Sequence, residues 1–144
     1  MATIRHLLLQ KGRKVHQIHP NAPVIEALRL MAEHNIGALV VSDNDHPAGI
    51  VTERDYARKI VLKGRTSLET PVREIMSSRV ICARLDQTVE ECMTIMTTRA
   101  VRHLPVLEHK RIVGIVSIGD LVKSVIEDKE FIIEQLEHYI HGDR

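Results

Sequence analysis

Two short motifs in this chain place a hydroxyl and a carboxylate three residues apart. They are Thr52-x-x-Asp55 and Ser117-x-x-Asp120, and each follows an apolar run that predicts a strand. A hydroxyl beside the N–H groups of a helix start can bind a phosphate, and a carboxylate one turn later can accept hydrogen bonds from a ribose diol. These residue types in this order favour a nucleotide as the ligand.

The same spacing is also typical of a capping box, in which both side chains only complete the start of a helix. Capping boxes prefer Glu or Gln, whose longer side chain reaches back to the cap residue, whereas both motifs here use Asp. Gly49 and Gly114 precede the two hydroxyls and would let a ligand or a neighbouring strand approach the backbone closely. We therefore favour ligand binding and keep capping as the alternative.

Both motifs belong to a sequence repeat in which equivalent residues lie 65 positions apart. Gly49-Ile50-Val51 returns as Gly114-Ile115-Val116, and the same offset relates Met31 to Met96. A repeat of this length is a structural unit, and a single copy would bury too little surface to be stable alone. We therefore expect the two copies to pack into one body with an apolar seam.

Each copy has the pattern of a strand, a helix, two strands and a second helix, so the predicted fold class is α+β with two βαββα units. The opening strands are expected at 15–18 and 80–83. The first helix should begin near Asn21 and Pro23, and Asp86 is the expected cap of the equivalent helix in the second copy. Residues 71–76 predict a short helix between the copies.

An unrepeated amphipathic helix is expected after the second copy. Such a helix more often covers a core edge or a partner subunit than it performs chemistry. The boundaries that we expect are 1–14 for an N-terminal segment, 15–62 for the first copy, 63–79 for the linker, 80–126 for the second copy and 127–144 for the C-terminal helix.

Composition argues against several classes of protein. The net charge is only +1, so no global field attracts nucleic acid or an anionic membrane. Aromatic residues make up 2%, too few for the stacking platforms of single-stranded nucleic-acid binders. The sequence has no signal-peptide pattern and no apolar run that could span a membrane. Cys82 and Cys92 have no metal-site spacing, and we expect them to be buried thiols of a cytoplasmic protein, with a disulfide between them as the less favoured alternative.

Neither a metal site nor a catalytic site is expected. His138-x-x-His141 and Glu134 share one predicted helix face, but His at the end of a helix also complements the helix dipole, which is the interpretation we favour. No Ser or Cys has a placed His and acid partner, and no glycine-rich phosphate loop is present. We therefore expect no enzyme activity.

The pattern Gly-Ile-Val-Thr/Ser-x-x-Asp in two tandem βαββα copies resembles the cystathionine-β-synthase-type (CBS) domain pair, also called a Bateman module, in the form of a small stand-alone bacterial-type protein. The resemblance runs from Val15 to about Ile126. It implies a pseudo-twofold pair that binds an adenosyl ligand, such as AMP, ADP, ATP, NAD or S-adenosylmethionine, in clefts between the repeats. It also implies regulation of a partner protein and a homodimer.

The resemblance assigns roles to individual residues. Asp55 and Asp120 would bind ribose hydroxyls, and Thr52 and Ser117 would bind phosphate. The adenine would lie against the segments Ile36-Gly37-Ala38 and Val101-Arg102-His103, between the aliphatic side chains of Ile18, Ile36, Ile81 and Val101.

Additional phosphate contacts are expected from Arg54, Arg102 and His103, because a second or third phosphate needs cationic partners. Each of the three could equally be a solvated surface charge. Arg54 is matched by Gly119 in the second copy, so the two sites should differ in affinity. The motif would contact the adenosine monophosphate half that AMP and NAD share. The alternative from another class is a structural interaction scaffold whose motifs are helix caps.

Overall fold

A computed structural model of the chain describes residues 2–44 and 46–140. The first part of the chain forms α1 (Ile4–Lys11), β1 (Gln17–Ile18), α2 (Val24–His34), β2 (Ala38–Asp43), β3 (His46–Thr52), α3 (Glu53–Tyr56), a π-helical turn (Ala57–Val61) and a 3₁₀ turn (Val72–Glu74). The second part forms β4 (Ala83–Arg84), α4 (Val89–Arg99), β5 (His103–Glu108), β6 (Arg111–Ser117) and α5 (Ile118–Ile140).

The sequence repeat is also a structural repeat. Each copy has a three-stranded sheet, with the orders β1-β2-β3 and β4-β5-β6. In the first sheet Ile18 lies opposite Val41 in parallel register, and in the second Ala83 lies opposite Val106, so that both partners are displaced by 65 positions. The predicted α+β fold with two repeated units is confirmed.

Two local predictions are wrong in detail. Asp86 does not cap α4, because its carboxylate accepts a hydrogen bond from Nε of Arg84 at 3.2 Å. The cap is Thr88, whose Oγ1 accepts from the backbone N–H of Glu91 at 3.1 Å. Thr88 directly precedes the first helical residue, and only a side chain in that position reaches the third N–H of the helix.

The opening strands are also shorter than predicted, at two residues each instead of four. Both lie at the edge of a sheet and pair with one neighbour only. The short helix expected at 71–76 is present as the 3₁₀ turn Val72–Glu74.

Helix α1 belongs to the same compact unit as most of the second copy, whereas the linker after the first copy belongs with the first copy. The N–H of Ile4 donates to the carbonyl of Gln87 at 2.9 Å, and the side chains of Ile4 and Leu8 are buried. In the first copy, Val72 and Ile75 of the linker join the hydrophobic core. Each compact unit therefore includes a segment from outside its own repeat, which packs with the repeat.

Helix α5 is one continuous helix of 23 residues that extends through the predicted boundary between the second copy and the C-terminal helix. Of its described residues only Leu121 is buried, and every residue from Ile126 to Ile140 is exposed. In the first copy the equivalent helix has four residues before it changes to the π-helical turn. The last four residues of the predicted C-terminal helix, 141–144, lie outside the described residues.

Candidate functional site

The first motif forms a reciprocal hydrogen-bonded box at the start of α3. The backbone N–H of Thr52 donates to Oδ2 of Asp55 at 2.9 Å, and the N–H of Asp55 donates to Oγ1 of Thr52 at 3.2 Å. Lys59, one turn further on, places its Nζ 3.2 Å from Oδ1 of Asp55 and donates to the carbonyl of Ile75 at 2.8 Å. The Asp55 side chain is only 15% exposed.

The second motif forms the same box at the start of α5. The N–H of Ser117 donates to Oδ2 of Asp120 at 2.8 Å, and the N–H of Asp120 donates to Oγ of Ser117 at 3.1 Å. Here the lysine comes from the distant helix α1. Nζ of Lys11 lies 2.6 Å from Oδ2 of Asp120 and donates to the carbonyl of Ile115 at 2.6 Å.

Asp in place of the preferred Glu or Gln therefore does not prevent a capping box in either copy. The side chain of Asp reaches the N–H of the cap residue in both copies because the cap and the third helical residue are drawn together by the opposite bond as well. The N–H groups that follow are also occupied: Glu53 donates to the carbonyl of Gly37 at 3.1 Å, and Ile118 donates to that of Arg102 at 2.9 Å. The helix starts offer fewer N–H groups to a phosphate than the sequence suggested.

Each carboxylate nevertheless retains capacity for a ligand. A carboxylate has about four acceptor positions, and Asp120 uses its Oδ2 for both Ser117 and Lys11. Burial of the Asp120 carboxylate raises its pKa, but the hydrogen bonds from Lys11 and Ser117 and the charge of Lys11 outweigh this effect, so that its pKa lies below the ordinary value. Asp120 is ionised at neutral pH and can accept further hydrogen bonds.

The two glycines are required by contacts within the chain. A Cβ atom on Gly49 would lie 2.4 Å from the carbonyl oxygen of Ser77, whose N–H and carbonyl pair with Ile50. A Cβ atom on Gly114 would lie 2.8 Å from a methyl group of Leu8 in α1. Gly49 and Gly114 are therefore both explained by the close approach of a neighbouring segment of the chain, and neither needs a ligand as its explanation.

A cavity of about 540 Å³ lies beside α3. Small-molecule sites in proteins typically measure about 300–1,000 Å³. Of the predicted residues, Ile36 and Gly37 line it, whereas Thr52 and Asp55 do not. The other lining residues are Leu28, Met31, Ala32, Asn35, Glu53, Tyr56 and Ala57.

The remaining predicted residues of the first copy differ in exposure. Ile18 and Ala38 are buried, and Ile18 belongs to the hydrophobic core. Ile36 and Gly37 follow Asn35, which ends α2 in the left-handed conformation with φ 52°. Arg54 is exposed on α3. The structure thus brings Thr52, Asp55 and Gly37 together, with Ile18 packed in the core behind them.

In the second copy, His103 lies close to Asp120 and Lys11. Burial and the charge of Lys11 lower the pKa of His103, and the opposing effect of Asp120 is smaller. Its imidazole is therefore neutral at neutral pH and would offer a phosphate a hydrogen bond, not a positive charge. Arg102 is exposed, and Val101 and Ile81 are partly exposed.

Three residues near the boxes were not indicated by the sequence analysis. Lys59 lies four positions after Asp55, a spacing that favours an ion pair on one helix and could have been recognised. Tyr56 is one of only two tyrosines and could have been noticed for that reason. Lys11 is 109 positions from Asp120, and no local pattern connects them.

Among residues 2–44 and 46–140, no group of three His, Cys, Asp or Glu side chains is placed to hold a metal ion. His141, part of the histidine pair considered above, lies outside this range. Neither cysteine forms a disulfide bond within the described residues. Cys92 is buried and Cys82 is partly buried, and burial raises the pKa of both, that of Cys92 to about 11. No helix in the described part of the chain is long and apolar enough to cross a bilayer.

Comparison with known proteins identifies the family. The profile of the CBS domain matches residues 11–62 and 72–127, which together make up most of the chain. The chain belongs to the CBS-domain family. The two boxes therefore lie at equivalent positions in two CBS domains, and the predicted resemblance is confirmed.

Three similar proteins are informative about this CBS pair. A mitochondrial CBS-domain protein of Arabidopsis thaliana, CBSX3, is 40% identical over 124 residues, which cover 83% of this chain and 60% of the plant protein. The chain thus spans less than two thirds of that relative. A protein with CBS domains from Burkholderia ambifaria, whose structure has been solved, is 49% identical, with a TM-score of 0.86, and the match covers 88% of this chain and 96% of that one.

The third similar protein has been solved with ligands. The CBS domain pair of protein MJ0100, in complex with 5′-methylthioadenosine and S-adenosyl-L-methionine, is 25% identical, with a TM-score of 0.76. The match covers 86% of this chain and 99% of that one. CBS pairs of this fold therefore include at least one protein that binds adenosyl compounds.

Proposed function

We propose that this CBS pair binds an adenine nucleotide of the AMP, ADP, ATP or NAD type and that occupancy changes its interaction with a regulated protein. The observation that carries the proposal is the cluster of a hydroxyl, a carboxylate and a lysine ammonium in each copy. A capping box needs only the first two groups. The lysine comes from the same helix in one copy (Lys59) and from α1 in the other (Lys11), and it reaches an equivalent carboxylate in both.

The chemistry of the cluster suits a nucleoside phosphate. The carboxylates of Asp55 and Asp120 can accept hydrogen bonds from ribose hydroxyls, and the lysines can pair with phosphate oxygens. The cavity beside α3 offers aliphatic walls for a base, including Ile36, and one aromatic ring, Tyr56. The adenosyl ligands of the MJ0100 pair support the choice of ligand class.

Regulation requires that the ligand bind one conformation better than another, because otherwise occupancy changes nothing. We propose no catalytic step. We also propose a cytoplasmic location, a compartment in which cysteines such as Cys82 and Cys92 usually stay reduced.

Isothermal titration with AMP, ATP and NAD tests the proposal. We expect at least one of them to bind, and the variants Asp55→Asn and Asp120→Asn should each weaken or remove one site. A ligand at a hundred times its Kd should stabilise the protein by about 2.7 kcal/mol. Thr88→Ala is the matched control, because it removes the cap of α4 and should lower stability without changing nucleotide affinity. Absence of both heat and thermal stabilisation with all three nucleotides would refute the proposal.

The alternative function is an interaction scaffold without a ligand. The complete capping geometry of both boxes favours it, because the Thr/Ser and Asp side chains already satisfy backbone groups. Under this alternative, Asp55→Asn and Asp120→Asn would lower stability in the same way as Thr88→Ala, and no adenine nucleotide would raise the melting temperature.

We also propose that the protein forms a homodimer through α5. The segment from Ile126 to Ile140 is exposed on all sides, and an isolated helix of about 15 residues is marginal in water. Ile126, Ile133 and Ile140 recur every seven residues, and Leu136 lies three positions after Ile133, as in a coiled coil. A second copy would bring the same apolar stripe and cover it by twofold symmetry.

Light scattering after size-exclusion chromatography tests this interface. The variant Ile133→Glu should elute as a monomer and should lose part of its helical circular dichroism. Glu134→Gln, on the next position of the same helix, should stay dimeric. A wild-type protein that is monomeric at high concentration, with unchanged helix content in Ile133→Glu, would contradict the dimer.

A further inference from the structure

The turn between β5 and β6 uses residues that do not suit its backbone. Strand β5 ends at Glu108 and β6 begins at Arg111, so His109 and Lys110 form a two-residue loop. Both have positive φ, 52° and 65°, the pattern of a type I′ hairpin. Such loops favour Asn-Gly, because a larger side chain is strained at positive φ. Strained residues of this kind cluster at ligand-binding positions, which indicates a role beyond the turn.

A cavity of about 730 Å³ lies at this turn, within the size range of small-molecule sites. Its wall includes two imidazoles, His46 and His109, and two permanent cations, Lys110 and Arg111. None of the described residues that line it is Asp or Glu. Asp43, a described carboxylate of the β2–β3 hairpin, is paired with His19 at 3.4 Å. The described part of the cavity wall therefore carries two permanent cations and no carboxylate.

The other walls supply hydrogen-bonding and apolar groups. Oγ of Ser42 donates to Oε1 of Gln17, which fixes the amide so that its two N–H donors remain for other acceptors. Val40, Pro47 and Ile112 form an apolar part of the lining. Arginine can bind a phosphate with two parallel hydrogen bonds, and lysine adds a point charge. This combination suits an anion that carries both a phosphate group and an apolar portion.

We propose that this cavity is a second ligand site, separate from the Thr/Ser and Asp boxes, that binds a phosphorylated small molecule. His109, Lys110 and Arg111 contact the phosphate from one hairpin, and His46 contacts it from the other. None of the residues lining this cavity belongs to the predicted nucleotide sites. The proposal does not depend on nucleotide binding by the boxes.

A double substitution in the β5–β6 turn gives the most specific test of this site. Replacing His109 by Asn and Lys110 by Gly gives the sequence that a type I′ turn prefers, so the double variant H109N/K110G should raise the melting temperature. The same variant removes two groups of the cavity wall. Inorganic pyrophosphate is the probe, measured by isothermal titration at an ionic strength of about 0.15 M, where non-specific attraction is largely screened. We expect affinity to fall about tenfold or more, because the loss of charge-assisted hydrogen bonds weakens phosphate binding strongly.

Two controls separate this site from others. Lys63→Gly removes an exposed lysine outside the cavity and should leave pyrophosphate binding unchanged. The double variant K11M/K59M removes the two lysines proposed to pair with phosphate in the nucleotide sites and should also retain pyrophosphate binding. The proposal is overturned if wild-type protein gives no pyrophosphate heat, if H109N/K110G binds as tightly as wild type, or if K11M/K59M loses the binding instead. If no adenine nucleotide binds, the proposed function fails, but the pyrophosphate binding expected at this cavity is unaffected.

Discussion

Replacing Lys11 by Met should destabilise the compact unit that contains Asp120. Nζ of Lys11 lies 2.6 Å from both the Asp120 carboxylate and the Ile115 carbonyl. Buried hydrogen bonds to charged groups contribute about 1.5–3 kcal/mol, whereas exposed ion pairs contribute less than about 1 kcal/mol. The side chains of Lys11 and Asp120 are 34% and 25% exposed, so this pair is intermediate between a buried and a fully exposed interaction. We therefore expect the free energy of unfolding at neutral pH to fall by about 1–2 kcal/mol.

The decrease in the free energy of unfolding caused by Lys11→Met should be larger at neutral pH than at acidic pH. The pKa of Asp120 is lower in the folded protein than its ordinary value of 3.8, so the ion pair stabilises the fold above that value, and this stabilisation is lost as the pH falls through the folded pKa. In Lys11→Met the hydrogen bond and the charge of Lys11 are lost, so the pKa of Asp120 should rise. Wild type and variant should differ most above about pH 5 and converge in more acidic solution.

Thermal and urea denaturation at neutral and acidic pH measure this difference. The expected decrease in melting temperature at neutral pH is about 2–8 °C for a chain of this length. Carboxyl NMR of Asp120 follows its pKa directly. Lys63→Met, which removes an exposed lysine, is the control and should change stability by less than about 0.5 kcal/mol. An equal loss at both pH values, or a pKa of Asp120 that does not rise, would refute the electrostatic explanation.

Three further predictions follow from the same structure. Gly49→Ala should lower the free energy of unfolding by about 1–3 kcal/mol, because the new methyl group meets a backbone carbonyl, whereas Gly119→Ala, with its nearest neighbour at 3.6 Å, should be neutral by urea denaturation. Burial and the nearby His34, whose ring stacks on that of His16 at 3.8 Å, lower the pKa of His16. The free energy of unfolding should therefore decrease as the pH falls through about 6.5, and this decrease, measured by urea denaturation, should be smaller in His16→Phe. Cys92, with a pKa of about 11, should react with a thiol reagent at pH 8 only after unfolding, because about one thiol in a thousand is ionised. Prompt reaction of Cys92 in the folded protein would contradict its burial.

The repeat is the part of the fold that could be predicted best. Apolar spacing is a local property of the chain, and the offset that relates Thr52 to Ser117 also relates the strand pairs Ile18–Val41 and Ala83–Val106. Local reasoning was less successful at helix starts. Thr88 and Asp86 are both good cap residues by type, and the backbone path decided between them.

The candidate site was predicted in its residue types but not in its contacts. The sequence indicated that a hydroxyl and a carboxylate would share each helix start, and they do. It kept the capping box only as the alternative to ligand binding, because box geometry depends on dihedral angles that residue type alone does not fix. The cavity lined by Ile36 and Tyr56 likewise depends on the placement of residues from α2 and α3 around one space, which the sequence does not encode locally.

The sequence by itself determined two repeated α+β units, the family and the position of the paired Thr/Ser and Asp residues, because these follow from periodicity and motif spacing along the chain. Only the tertiary structure decided which cation neutralises Asp120 and what lies against each glycine. Lys11 reaches Asp120 across 109 positions, and Ser77 reaches Gly49 from the linker. The reason is physical: such contacts depend on how distant segments pack, and no local pattern in the chain encodes the distance between them.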